Sequence, residues 1–152
     1  MERRDFVRTA LGAGAALVVV SPALRASAAP VAMTVYKSPL RGCCGEWVKH
    51  VQAAGFTVRV VAVDDVAEVN RTAGVPDALE GCHTALVGAY VISGHVPADL
   101  VQKMLAEKPK FTGLAVPGMP QGSPGMEQGQ ARQHYDVVSF DRSGKTSVYA
   151  RR

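Results

Sequence analysis

The chain has 152 residues, a formal net charge of +4 and 47% hydrophobic residues. That is one domain's worth of sequence, with enough apolar side chains for a core that needs no disulfide staples. Its basic residues form no stripe that would track phosphates, which argues against a nucleic-acid partner.

Residues 1–28 read as an export signal rather than as part of the fold. Arg3 and Arg4 precede Phe6, an apolar run extends from Ala10 to Val20, and Ala26-Ser27-Ala28 supplies a small-residue cleavage site. The run is too short for a membrane span, which takes roughly 20 residues. The Arg-Arg-x-Phe pattern resembles a twin-arginine signal, so bacterial export of a folded chain is expected. Removing residues 1–28 leaves 13 basic and 11 acidic residues and a formal +2. Residues 29–152 are then a single domain, with no expected membrane association.

Residues 32–36, AMTVY, predict a strand. Lys37-Ser38-Pro39 breaks it. Trp47, Val48 and Val51 recur at helical spacing, which predicts a helix from Cys43 to Ala54 that stops at Gly55. TVRVVAV at 57–63 is a second strand, and Asp64-Asp65 can cap a helix over 66–73. HTALVG and AYVISGHV form two strands joined tightly near Gly88, and Pro97 starts the helix ADLVQKMLAEK. Residues 109–134 hold four prolines and five glycines with little periodicity, and read as one long loop. YDVVSFD and TSVYARR predict a last hairpin around Ser143-Gly144. The order β-α-β-α-β-β-α predicts an α/β, thioredoxin-like fold, followed by a long Gly/Pro-rich loop and a C-terminal β-hairpin.

The chemistry gathers at SPLRGCCGEW, residues 38–47. Adjacent cysteines make a strained disulfide, so Cys43 and Cys44 are not expected to pair with each other. The helix N-terminus, with Arg41 close by, predicts thiols more acidic than ordinary ones. Cys82 opens the third strand, and the expected fold brings it to the same helix end. Three cysteines converging in an exported protein leave at least one unpaired or metal-bound. Thiolates and thioethers select soft ions, Cu(I) above all. Met119 and Met126, in PGMPQGSPGM, are candidate thioether ligands or an apolar plug for the loop. His83 is a further candidate ligand. His95 reads as a hairpin cap, and His50 and His134 as exposed. There is no G-x-S-x-G, P-loop or H-E-x-x-H pattern, and no carboxylate pair stands out.

VYKSPLRGCCGEWVKH, GVPDALEGCHTALVGAYVISGHVPADL and GLAVPGMPQGSPGME together resemble the periplasmic metal-binding proteins of family DUF411, the CopG-like copper-resistance proteins. The similarity runs from about Met33 to Val148. It implies a thioredoxin-like fold, a periplasmic location and a role in copper binding or copper redox handling, with the cysteines as ligands or redox thiols. Other periplasmic copper-handling proteins would be partners. The family usually reads Cys-Gly-Cys-Cys after the Ser-Pro turn, and here its first position is Arg41. One bridging sulfur is therefore missing. A single Cu(I) on two or three thiolates remains, with Arg41 offsetting negative charge, or the change disables the site. Binding is expected before catalysis. The alternative is a thiol–disulfide oxidoreductase using Cys82 with Cys43 or Cys44.

Overall fold

The computed structural model describes residues 29–129 and 131–152, so the signal read over 1–28 lies outside the described residues. Seven strands form one mixed sheet in the order β2-β1-β3-β4-β5-β6-β7. The strands are β1 (Ala32–Lys37), β2 (Thr57–Ala62), β3 (His83–Val87), β4 (Tyr90–Ser93), β5 (Gly113–Ala115), β6 (Asp136–Phe140) and β7 (Thr146–Arg151). Three helices connect them: α1 (Gly42–Ala53), α2 (Val66–Ala73) and α3 (Ala98–Glu107). No helix among the described residues is long and apolar enough to cross a membrane.

The first seven elements follow the expected order. β1 pairs with β2 in parallel across α1, and β3 runs antiparallel to both β1 and β4. α1 forms because Trp47, Val48 and Val51 share one face, and all three are buried. α2 is capped by Asp65, whose carboxylate accepts from the Glu68 N–H at 3.1 Å. α3 lacks a capping side chain of its own, and Pro97 sits just before it rather than within it. His50 from α1 supplies the missing acceptor, its Nε2 taking the Ala98 N–H at 3.0 Å. His50 is therefore half-buried and structural, not the exposed residue expected from sequence.

The long loop is also shorter than expected. Gly113–Ala115 forms β5, which pairs in parallel with β4 and antiparallel with β6, so α3 is a second crossover helix. A three-residue strand containing a glycine leaves no alternating pattern to read. The final hairpin forms as expected and pairs onto β5 as the sheet's far edge. The main core lies between the sheet and its helices, around Val35, Trp47, Val51, Ile92, Val101 and Met104.

This topology gives the sheet one chemically loaded end. β1 leaves the sheet at Lys37 and feeds α1. β3 begins opposite it, at His83. β4 and β5 both finish at that same end, because Ser93 pairs with Thr84 on one side and Ala115 on the other.

Candidate metal centre

Four side chains meet at this end. The sulfurs of Cys43, Cys44 and Cys82 and a ring nitrogen of His95 all lie within 4.8 Å of one another. The thiols of Cys44 and Cys82 are 3.2 Å apart, and all three cysteines are free. Cys82 Sγ lies 3.0 Å from His95 Nε2. Cys44 and His95 are fully buried, while Cys43 and Cys82 are half-buried.

His95 is held from behind. Its Nδ1 faces the Pro124 carbonyl at 2.6 Å. A carbonyl can only accept, so Nδ1 carries the proton and Nε2 presents its lone pair to the sulfurs. A backbone acceptor fixing the tautomer of a ligating histidine is the usual supporting arrangement at metal sites. Pro124 belongs to the Gly/Pro stretch after β5, which folds back over the helix end. Gly125 makes this possible. Its φ is +86°, and a Cβ there would lie 2.7 Å from the Cys43 carbonyl oxygen and 2.9 Å from the Trp47 nitrogen. Only glycine combines that backbone conformation with that close an approach. On the other side, a polar cleft of about 340 Å³ reaches Cys82 from solvent between Ser38, Arg41, Asp64 and Glu80.

The remaining sequence candidates surround this group. His83 is fully buried against Trp47, with ring centroids 4.3 Å apart and the ring planes tilted by 42°. Its Nδ1 is 3.4 Å from Cys82 Sγ, and its Nε2 has no partner. Burial, with help from His95 and Lys37, pushes the His83 pKa down to about 3, so the ring is neutral. Met119 is exposed, and its sulfur accepts from Arg41 Nη1 at 3.8 Å. Met126 is half-buried directly after Gly125, and its backbone closes a turn with Ser123 and Gly122. Arg41 is the residue before α1 and provides no capping bond.

Two expectations change. Cys43 and Cys44 are not acidified. The hydrogen bond to Cys82 pushes the Cys44 pKa up, reinforced by burial and by the neighbouring Cys82 sulfur. Burial, then the adjacent Cys44, raises Cys43. Crowded, desolvated sulfurs outweigh the helix terminus, and only a cation among them would reverse the balance. His95 was missed as a member of the group. No local pattern marks it: His95 lies two residues beyond the end of β4, past Gly94 with its φ of +73°, and meets Cys82 only where the chain leaves the ladder.

A mixed α/β sheet with three thiols and an imidazole at one end defines a protein whose site could hold a metal ion. The donors contain no carboxylate, which disfavours hard ions such as Mg²⁺ and Ca²⁺. The family described as protein of unknown function DUF411 matches residues 79–126, a stretch that includes Cys82 and His95. Two solved structures described as copper resistance protein copG, forms 2 and 1, superpose with TM-scores of 0.77 and 0.76. Each is 42% identical and covers 81% of this chain and 98% of its own. No protein with a curated description matches significantly. The chain belongs to the DUF411 family of CopG-like proteins.

Proposed function

We propose that this chain is an exported, periplasmic Cu(I)-binding protein of copper resistance. The observation that carries the reading is the convergence of Cys43, Cys44, Cys82 and His95 within 4.8 Å. Three sulfurs and one imidazole suit Cu(I), and they also suit Zn²⁺, which takes Cys₃His sets. The likeness to copper resistance protein structures favours copper in this reading. Met119, Met126 and His83 stand around this set as further soft donors, and Arg41 balances thiolate charge at the mouth. Residues 1–28 are the twin-arginine-type export signal, and 29–152 the binding domain. The strand order β2-β1-β3-β4, with α1 and α2 between the early strands, supports a thioredoxin-like core extended by β5, β6 and β7. Other copper-handling proteins of the same compartment would deliver or receive the ion.

The residues divide the work. His95 offers Nε2 because Pro124 holds its other nitrogen. Cys44 supplies the sheltered thiol, and Cys43 and Cys82 the accessible ones. Each thiol gives up its proton as the ion arrives. The test is anaerobic Cu(I) titration against a competing chelator, for wild type and for Cys43→Ser/Cys44→Ser/Cys82→Ser, with Zn²⁺ as a rival. Tight uptake that needs the three cysteines and resists Zn²⁺ is expected. Tight copper uptake by the triple variant would refute the reading.

The 3.2 Å approach of Cys44 to Cys82 favours one second reading, a thiol–disulfide oxidoreductase. It predicts loss of two thiols in air and turnover of a disulfide substrate. Three persistent thiols and no turnover would end it.

A further inference from the structure

α2 donates no side chain to the four-donor group, yet it sends one buried polar residue to the group's foundation. Asn70 is 1% exposed, and both its side-chain oxygen and its side-chain nitrogen have hydrogen-bond partners. Its Oδ1 accepts from the hydroxyls of Thr84 on β3 and Ser93 on β4, and its Nδ2 donates to the Gly81 carbonyl at 3.3 Å. Ser93 Oγ in turn accepts the Gly81 N–H at 2.8 Å. Both polar backbone groups of Gly81 are thus tied to the network. Gly81 itself lies against Gly94, and a Cβ on Gly81 would come within 2.4 Å of the Gly94 Cα. The residues that directly follow the two glycines of this crossing are Cys82 and His95.

We infer that Asn70 is a positioning residue for the metal centre. It acts through Gly81 and Ser93 to hold the crossing that sets Cys82 Sγ against His95 Nε2. The inference rests on the metal-binding reading above. The physical reason is that a short hairpin end frays unless its backbone groups are paired elsewhere. Here β3 begins only at His83, so Gly81 and Cys82 precede the ladder. A helix outside the sheet supplies the missing anchor, and a buried, hydrogen-bonded network of this kind is rigid enough to fix donor positions.

The test compares Asn70→Leu, similar in size but without hydrogen bonds, with Thr84→Val. The second removes one bond to Asn70 and leaves Gly81 tied. Both are titrated with Cu(I) and a chelator well below their melting temperatures, and the copper–thiolate absorption band is recorded. Asn70→Leu should weaken binding by about tenfold or more and shift the band, as loss of a supporting partner does at other metal sites. Thr84→Val, which leaves Gly81 tied, should keep an affinity and a band close to those of wild type. Reduced melting temperatures with wild-type affinity and band in both variants would overturn the inference. Should Asn70→Leu not fold, Ser93→Ala, which frees the Gly81 N–H, decides in the same way. Cys82 alkylation in the metal-free protein separates this from failure of the metal reading. A changed Cys82 rate in Asn70→Leu, with Cys43 unchanged, supports positioning even if wild type takes up no copper. An unchanged rate contradicts it.

Discussion

The two halves of the sheet do different work. In β2-β1-β3-β4, strands and helices alternate, and four donors, two from α1, one just before β3 and one just after β4, meet at one end. In β5-β6-β7, a plain hairpin extends the sheet, β7 is largely exposed, and its cross-strand ion pair Arg151–Asp136 lies on the surface at 3.5 Å. The far half contributes none of the four donors. What it contributes is anchorage: the segment between β5 and β6 starts at the loaded end and lays Pro124 and Gly125 over His95 and α1. Long-range crossings build the site, and a local hairpin stiffens the frame that carries it.

Substitutions in the two halves should differ in what they cost. The largest effect falls on Cys44→Ser or Cys82→Ser, each of which should abolish tight Cu(I) uptake in chelator competition, while Val148→Ala on β7 leaves it unchanged. Next is Trp47→Ala. It empties the core beside His83 and removes the Nε1 donor to the Val96 carbonyl, a 2.9 Å bond. A loss of about 3–5 kcal/mol is expected in denaturant unfolding.

One substitution made in both halves gives a direct comparison. Gly125→Ala, at φ +86° and against the α1 backbone, should cost about 2–3 kcal/mol and weaken copper binding. Gly144→Ala, at φ +83° in open space at the β6–β7 turn, should cost about 1 kcal/mol and leave binding alone. Equal costs would mean that the loop does not press on the helix as described.

A smaller, pH-dependent effect belongs to His50. Burial lowers its pKa, with Glu127 and Asp99 opposing, and its neutral Nε2 accepts from Ala98. The unfolded chain therefore takes up this proton first. Stability from His50 is complete above about pH 6.5 and declines as the pH falls below it. Unfolding curves at stepped pH should show this slope, and His50→Gln should flatten it. Smallest of all, Asp136→Asn should change stability by less than about 0.5 kcal/mol, because the pair it breaks is exposed.

Much of the loaded half was legible. The helical spacing of Trp47, Val48 and Val51 and the β-branched runs around them specify their own elements, and the order of elements brings Cys43, Cys44 and Cys82 together. His95 was hidden because its role depends on tertiary contacts beyond the end of β4, with Cys82 and with the Pro124 carbonyl, 13 and 29 residues away. β5 was hidden because a three-residue strand carries no period. The raised thiol pKa values were misjudged because a helix terminus is visible in sequence, whereas sulfur crowding appears only after folding. The capping role of His50 is likewise tertiary: its partner is 48 residues away.

The most direct measurement is X-ray absorption at the copper edge of the anaerobically loaded protein, for wild type and His95→Ala. The account predicts a sulfur-dominated shell with one imidazole, and loss of the imidazole signature in the variant. A shell without sulfur, or an imidazole that survives in His95→Ala, would contradict it.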